Sequence, residues 1–284
     1  MPNILSFDIE EWFHPEIFHG RFSSREWDKL ESRVVGNTER ILNFLEGKRL
    51  EATFFILGWV AEKYPHLVEQ IDRAGHEIAS HGFSHDMITR LNPEQFRKEI
   101  RRSLQILNSL SSNPVIGFRA PTFSITRQTL WALPILLEEG IRYDSSVYPI
   151  VHDRYGIPDA PTEPYVIYQN QAARLWEFPM SVVRIAGWNL PLGGGGYLRL
   201  YPKTLTSLLL TIARRQNRQL IVYAHPWEID PETPQVSLNV LGRFRHYHNL
   251  EKFLDRLDWI TDVVKFTSFR QAYRQVEMAE TSVV

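Results

Sequence analysis

Cysteine is absent from the 284 residues, so the chain can form no disulfide and offers no thiolate to a metal. Any metal must be held by His, Asp, Glu or solvent. No apolar run approaches the ~20 residues that a membrane-spanning helix needs. The opening Met-Pro-Asn-Ile-Leu lacks the basic and apolar regions of a signal peptide. A soluble, cytoplasmic protein is therefore expected. Neither sign of charge is in excess: 32 Lys and Arg face 33 Asp and Glu, a formal net charge of -1, so no global basic field points to nucleic acid or to an anionic membrane. Internal repeats, low-complexity linkers and shifts in composition are also missing. One domain over residues 1–284 is expected, with a core from about residue 3 to 270 and a frayed C-terminal tail. Nothing in the sequence speaks for an oligomer.

What is present is ordinary globular material, 43% hydrophobic, arranged as alternating short strands and helices. Ile4–Phe7, Ala52–Ile56, His76–Ala79, Val115–Phe118, Ile141–Tyr143, Leu175–Pro179, Ser181–Ile185, Gln219–Ala224 and Val263–Phe266 read as strands. Between them Thr38–Glu46, Pro65–Ala74, Thr126–Glu139, Pro202–Arg215, Leu250–Leu257 and Phe269–Val276 read as helices. Asn92-Pro93-Glu94-Gln95 combines an N-cap, a first-position proline and a capping-box glutamine, launching a further helix. Pro149–Pro164 reads as a long loop, and the four glycines 193–196 suit a mobile loop or a close backbone approach to a ligand. Such alternation implies a mainly parallel sheet, either a barrel or an open doubly wound sheet. The barrel is favoured because Asp8, His81, Arg119, Asp144 and His225 each stand at or just past the C-terminal end of a strand, the face where barrels carry their active sites.

In Ser6-Phe-Asp-Ile-Glu-Glu-Trp12 the carboxylates Asp8, Glu10 and Glu11 crowd the end of an apolar strand, and must answer to a cation, an arginine or a proton. His81 and His85 follow another strand. In extended chain they would lie about 13 Å apart, but on a helical turn roughly 6 Å, a usable metal spacing. Two histidines and a carboxylate leave positions open for water and substrate, which fits catalytic zinc and also non-haem iron. A hydrolase further needs a base and an acid, roles open to Asp8 and His225. Arg119 suits an ion pair that keeps an aspartate ionised.

Phe7-Asp8-Ile9-Glu10, Ala52-Thr53-Phe54-Phe55, Ser80-His81 through His85, Arg119-Ala120-Pro121 and His225 after an apolar strand together resemble, in order and spacing, the motifs of the polysaccharide deacetylase family, the NodB-homology carbohydrate esterases. The runs Gly194-Gly195-Gly196-Tyr197-Leu198-Arg199-Leu200, His225-Pro226-Trp227-Glu228 and Arg245-His246-Tyr247-His248-Asn249 resemble a narrower bacterial branch associated with exopolysaccharide loci and exosortases. The resemblance implies an α/β fold, a distorted (β/α) barrel with about seven parallel strands, and a divalent metal, usually zinc. It implies removal of N-acetyl groups from an amino-sugar glycan as the activity and the glycan as partner. An allantoinase-like carbon-nitrogen hydrolase, or a carbohydrate-binding relative impaired in catalysis, are the alternatives.

By the same resemblance Asp8 is the general base, Arg119 its partner, His225 the general acid, and His81 and His85 are metal ligands. Relatives commonly place a second, metal-binding aspartate where this chain has Ile9. Glu10 takes that role here, on the same strand face as Asp8; a one-residue register difference would give it to Glu11. Thr122 stands where relatives carry an aromatic whose backbone N–H serves an oxyanion hole. Asp144 is a candidate to orient His225, and Trp188, Tyr197 and Trp227 are candidates for stacking on sugar faces.

Overall fold

From Ile4 to Ile9 every residue of the first strand, β1 (Asn3–Ile9), is buried, as expected of a strand flanked on both sides by parallel neighbours and covered on both faces. In the computed structural model, which describes residues 1–281, β1 lies between β2 (Thr53–Ile56) and β10 (Ile221–Ala224). The sheet continues through β3 (Glu77–Ser80), β4 (Gly117–Phe118), β5 (Tyr143–Asp144) and β7 (Arg174–Glu177). These seven strands are all parallel. β6 (Tyr165–Gln169) adds antiparallel to the outer edge of β7, and β11 (Phe266–Thr267) pairs with the start of β1. β8 (Val182–Ile185) and β9 (Trp188–Pro191) form a separate hairpin.

The sheet curls into a distorted barrel that is not closed by strand pairing between β7 and β10. The gap is bridged instead by the Ser181 hydroxyl, which accepts the Ile221 N–H at 2.5 Å, and by the Gly193 carbonyl, which accepts the Tyr223 N–H at 3.1 Å. Side chains alternate as strand geometry requires. Leu5, Phe7 and Ile9 join the helix-covered core, while Ile4 faces a second cluster with Phe55, Tyr143, Phe178 and Phe269. Register aligns the strand ends: Phe7 sits beside Phe54 and Ala224, and Ser80 pairs with both Ile56 and Phe118. The next residues, Asp8, His81, Arg119 and His225, therefore emerge at one rim.

The expected elements recur with shifted ends. The helix begun by Asn92 spans Pro93–Leu110 and carries both capping-box bonds. The first helix runs Val34–Lys48, a turn earlier than its apolar pattern, and Arg33 at its N-cap position makes no side-chain cap. Gly58–Lys63 is an additional short helix, Thr126–Glu139 is helical only over Ala132–Glu138, and Phe269–Thr281 extends through the tail expected to fray. Residues 282–284 of that tail lie outside the described residues. The antiparallel β6 and the strand β9 were not expected. The glycine run is a correction: Gly195 opens the helix Gly195–Leu200, and Gly193 and Gly194 lie against β10, so the close approach is to the protein itself. No helix among the described residues is long and apolar enough to cross a membrane.

Asp144 and Glu177 end neighbouring strands and are wholly buried. Burial pushes both carboxyls up, Asp144 to about 6 and Glu177 further because Asp144 faces it. Glu177, held well above its usual range, is placed to share a proton with Asp144, whose Oδ2 has no other partner among the described residues. The unfolded chain releases that proton near pH ~4, so the pair costs stability as pH rises from there through the folded pair's range. Glu177→Gln supplies an amide donor in place of the proton. Thermal melts from pH 4 to 8 should show the variant losing less stability than wild type towards the alkaline end.

Candidate active site

At the barrel's rim Ser80–His85 leaves β3 and folds back through two left-handed residues, Gly82 (φ 78) and His85 (φ 59). That turn, rather than a helix, brings the His81 and His85 rings to 5.4 Å between centroids. Glu10, one residue beyond β1, joins them: one ligand atom from each of Glu10, His81 and His85 lies within 4.8 Å of the others. His81 Nδ1 donates to the Arg119 carbonyl at 2.8 Å, which leaves Nε2 as a free lone pair. Burial pushes His81 down to about 4, so it is neutral. Glu10 Oε2 is buried 2.7 Å from His85 Nε2, and Oε1 accepts the Trp227 indole N–H at 3.1 Å. Burial would raise the Glu10 carboxyl, but His85, His225 and His81 outweigh it and hold it well below the carboxylate range. A carboxylate and two imidazoles form a donor set suited to zinc. Glu11 turns away, bonded by the Ser32 hydroxyl and the Arg33 N–H.

Two further groups flank this cluster. Arg119, with no exposed surface, donates to Asp8 at 2.6 Å and to the Ser6 hydroxyl at 2.9 Å. On the opposite side His225 Nε2 lies 3.9 Å from Asp8 and 3.8 Å from Glu10. Its Nδ1 bonds Glu228 at 2.9 Å. Burial alone would lower the His225 pKa; the Glu228 bond and the charges of Glu10, Glu228 and Asp8 push it up to about 9. Glu228 is in turn gripped by buried Arg199 at 2.9 Å. This contact requires glycine at 195, where a Cβ would stand 2.0 Å from Glu228 Oε2.

Glu228, not Asp144, therefore orients His225. Asp144 is engaged by Ser146 and Glu177, and its neighbours Ser145 and Ser146 hold the Arg119–Ala120 segment. Trp188 is 71% exposed on the β8–β9 hairpin and does not line the cleft. Tyr197 packs behind Tyr155 and Tyr148. Trp227 does line the cleft, but it is committed to Glu10 and lies between the rings of His225 and His246. Thr122 is at the cleft wall with φ 55. Glu228 and Arg199 were missed as functional residues. The His225-x-x-Glu228 spacing, that of a capping box, was the available signal. His14 was missed too: it stacks on His85 and accepts the Glu11 N–H, and burial keeps it neutral, down to about 3. The groups share a cleft of ≈ 490 Å³ whose walls include Tyr155, Arg154 and Arg245.

Residues 27–136 match the polysaccharide deacetylase family, and residues 145–274 match a domain family of unknown function. A peptidoglycan-N-acetylglucosamine deacetylase of Bacillus cereus is 36% identical over 96 residues, 34% of this chain and 35% of the relative. The first curated relatives are thus matched over about a third of their length. Among solved structures, one from Mycobacterium smegmatis described as a polysaccharide deacetylase has a TM-score of 0.64 at 20% identity, covering 98% of this chain and 91% of that one. An allantoinase has a TM-score of 0.61 at 17% identity, covering 96% and 89%. These two likenesses concern the fold. The family match thus covers residues 27–136, and there this chain is similar to the polysaccharide deacetylases.

Proposed function

We propose that this protein is a metal-dependent hydrolase that removes N-acetyl groups from an amino-sugar glycan. The observation that carries this reading is the meeting of Glu10, His81 and His85 in one cleft with a paired aspartate on one flank and an acidic histidine on the other. A divalent ion, zinc by its donor set, held by these three side chains would supply Lewis acidity towards water and the amide carbonyl.

The remaining chemistry belongs to the chain. Asp8, aimed by Arg119, accepts the proton of the attacking water. The Thr122 backbone, at the cleft wall, offers an N–H to the developing oxyanion. His225, protonated because Glu228 stands behind it, hands its proton to the departing amine nitrogen. The bond broken is the acetyl carbon to nitrogen bond, and acetate and a free amino sugar result. The narrower resemblance of residues 194–200, 225–228 and 245–249 supports an exopolysaccharide, or its precursor, as the glycan.

Metal analysis and acetate release should be measured on the same samples, with N-acetylated chitooligosaccharides as substrate and cyclic ureides as controls. His81→Ala should lose bound metal and turnover together, and Asp8→Asn should keep metal while losing about 10²–10⁴-fold in rate. Turnover by the metal-free protein, or preference for the ureides, would sink the reading. Because His225 must be protonated to act, activity should fall as pH rises through about 9. Glu228→Gln removes the anion that sustains that proton, so its alkaline limb should move to lower pH; a profile unchanged from wild type contradicts the assignment.

A further inference from the structure

The cleft's outer lip is the helix Val240–Tyr247, which exposes its apolar side chains. Val240 is 88% exposed, Leu241 57% and Phe244 49%, while His246 is buried. Successive helix residues are rotated by about 100°, so Val240 and Phe244 form the outward ridge with Arg243 on one side and Arg245 on the other. The cleft wall also includes Arg154, three residues beyond Val151, which is 77% exposed. Ile17 lies against Gly242, which brings the loop carrying Arg21 to the same lip.

Arg21, Arg154, Arg243 and Arg245 have no ion-pair partner among the described residues. Of the acids lining this face, Glu16 is held by Arg90, while Asp153 stays exposed beside His152. A chain of net charge -1 thus gathers unpaired cations around one exposed apolar ridge. Arginine-flanked apolar ridges suit the headgroup boundary of a bilayer, where the apolar side chains enter and the cations meet phosphates. A second copy is a poor occupant, since a two-fold contact would set the same arginines against each other.

We propose that this lip docks on a membrane surface rich in anionic lipid, holding the cleft over glycan attached to that surface. The statement about the glycan rests on the deacetylase reading; the docking does not. The test is sedimentation with vesicles of phosphatidylcholine alone and of phosphatidylcholine with phosphatidylglycerol. Wild type should sediment with the anionic vesicles and be released by salt. Arg243→Gln should lower partitioning roughly fivefold, and Val240→Ser with Phe244→Ser by about tenfold or more. All should still release acetate from soluble oligosaccharide. His81→Ala, inactive, should bind vesicles like wild type, which separates docking from catalysis. No binding to anionic vesicles, or equal binding by the lip variants, overturns the proposal. So does a dimer that the double serine variant abolishes while vesicles remain unbound, because the ridge is then a protein interface.

Discussion

Arg119 is a guanidinium with no access to water, and the arrangement of the rim follows from the need to satisfy it. Leaving such a charge buried without its partner costs about 3–5 kcal/mol. Its donors reach Asp8 and Ser6 on β1 and both the carbonyl and the hydroxyl of Ser145 just past β5. Its plane lies 4.1 Å from the Phe55 ring of β2. One side chain thereby ties the ends of several strands together and fixes the direction of the Asp8 carboxylate. Its own backbone carbonyl fixes the tautomer of His81. The proposed base and one candidate ligand are set by the same residue, so neither can be displaced alone.

Arg199 does the corresponding work on the opposite flank. It is 2% exposed and donates to Glu228 and to the carbonyls of Arg245, His246 and His248. The glycine at 195 is what lets the carboxylate come close enough. The two flanks come from different parts of the chain: Arg119 lies within the segment matched to polysaccharide deacetylases, Arg199, His225 and Glu228 within the second matched segment, and Asp8 and Glu10 ahead of both. The cleft exists only where these parts meet.

Much of this was legible from residue order. Apolar strands that end in Asp8, His81, Arg119 and His225 announce themselves locally, and a parallel sheet places their ends at one rim. The seven parallel strands and the Asn92 capping box follow from similarly local patterns. What was not legible depends on approach through space. Glu228 reaches His225 because Gly195 leaves room, and Asp144 is drawn to Glu177 by a strand pairing that no local pattern specifies. Trp188 and Tyr197 look like sugar platforms by composition, yet one rides an outlying hairpin and the other packs behind Tyr155. β6 escaped notice because its alternation is weak, with only part-buried side chains.

The helix at the outer lip ends on the carbonyls that Arg199 holds, and the same guanidinium grips the carboxylate behind His225. Lip and His225 are thus two ends of one lever with a buried fulcrum. The helix cannot slide or tilt as a rigid body without stretching charge-assisted bonds that set the imidazole's direction. Whatever leans on the outside of this molecule at residues 240–247 also leans, through a single side chain, on His225.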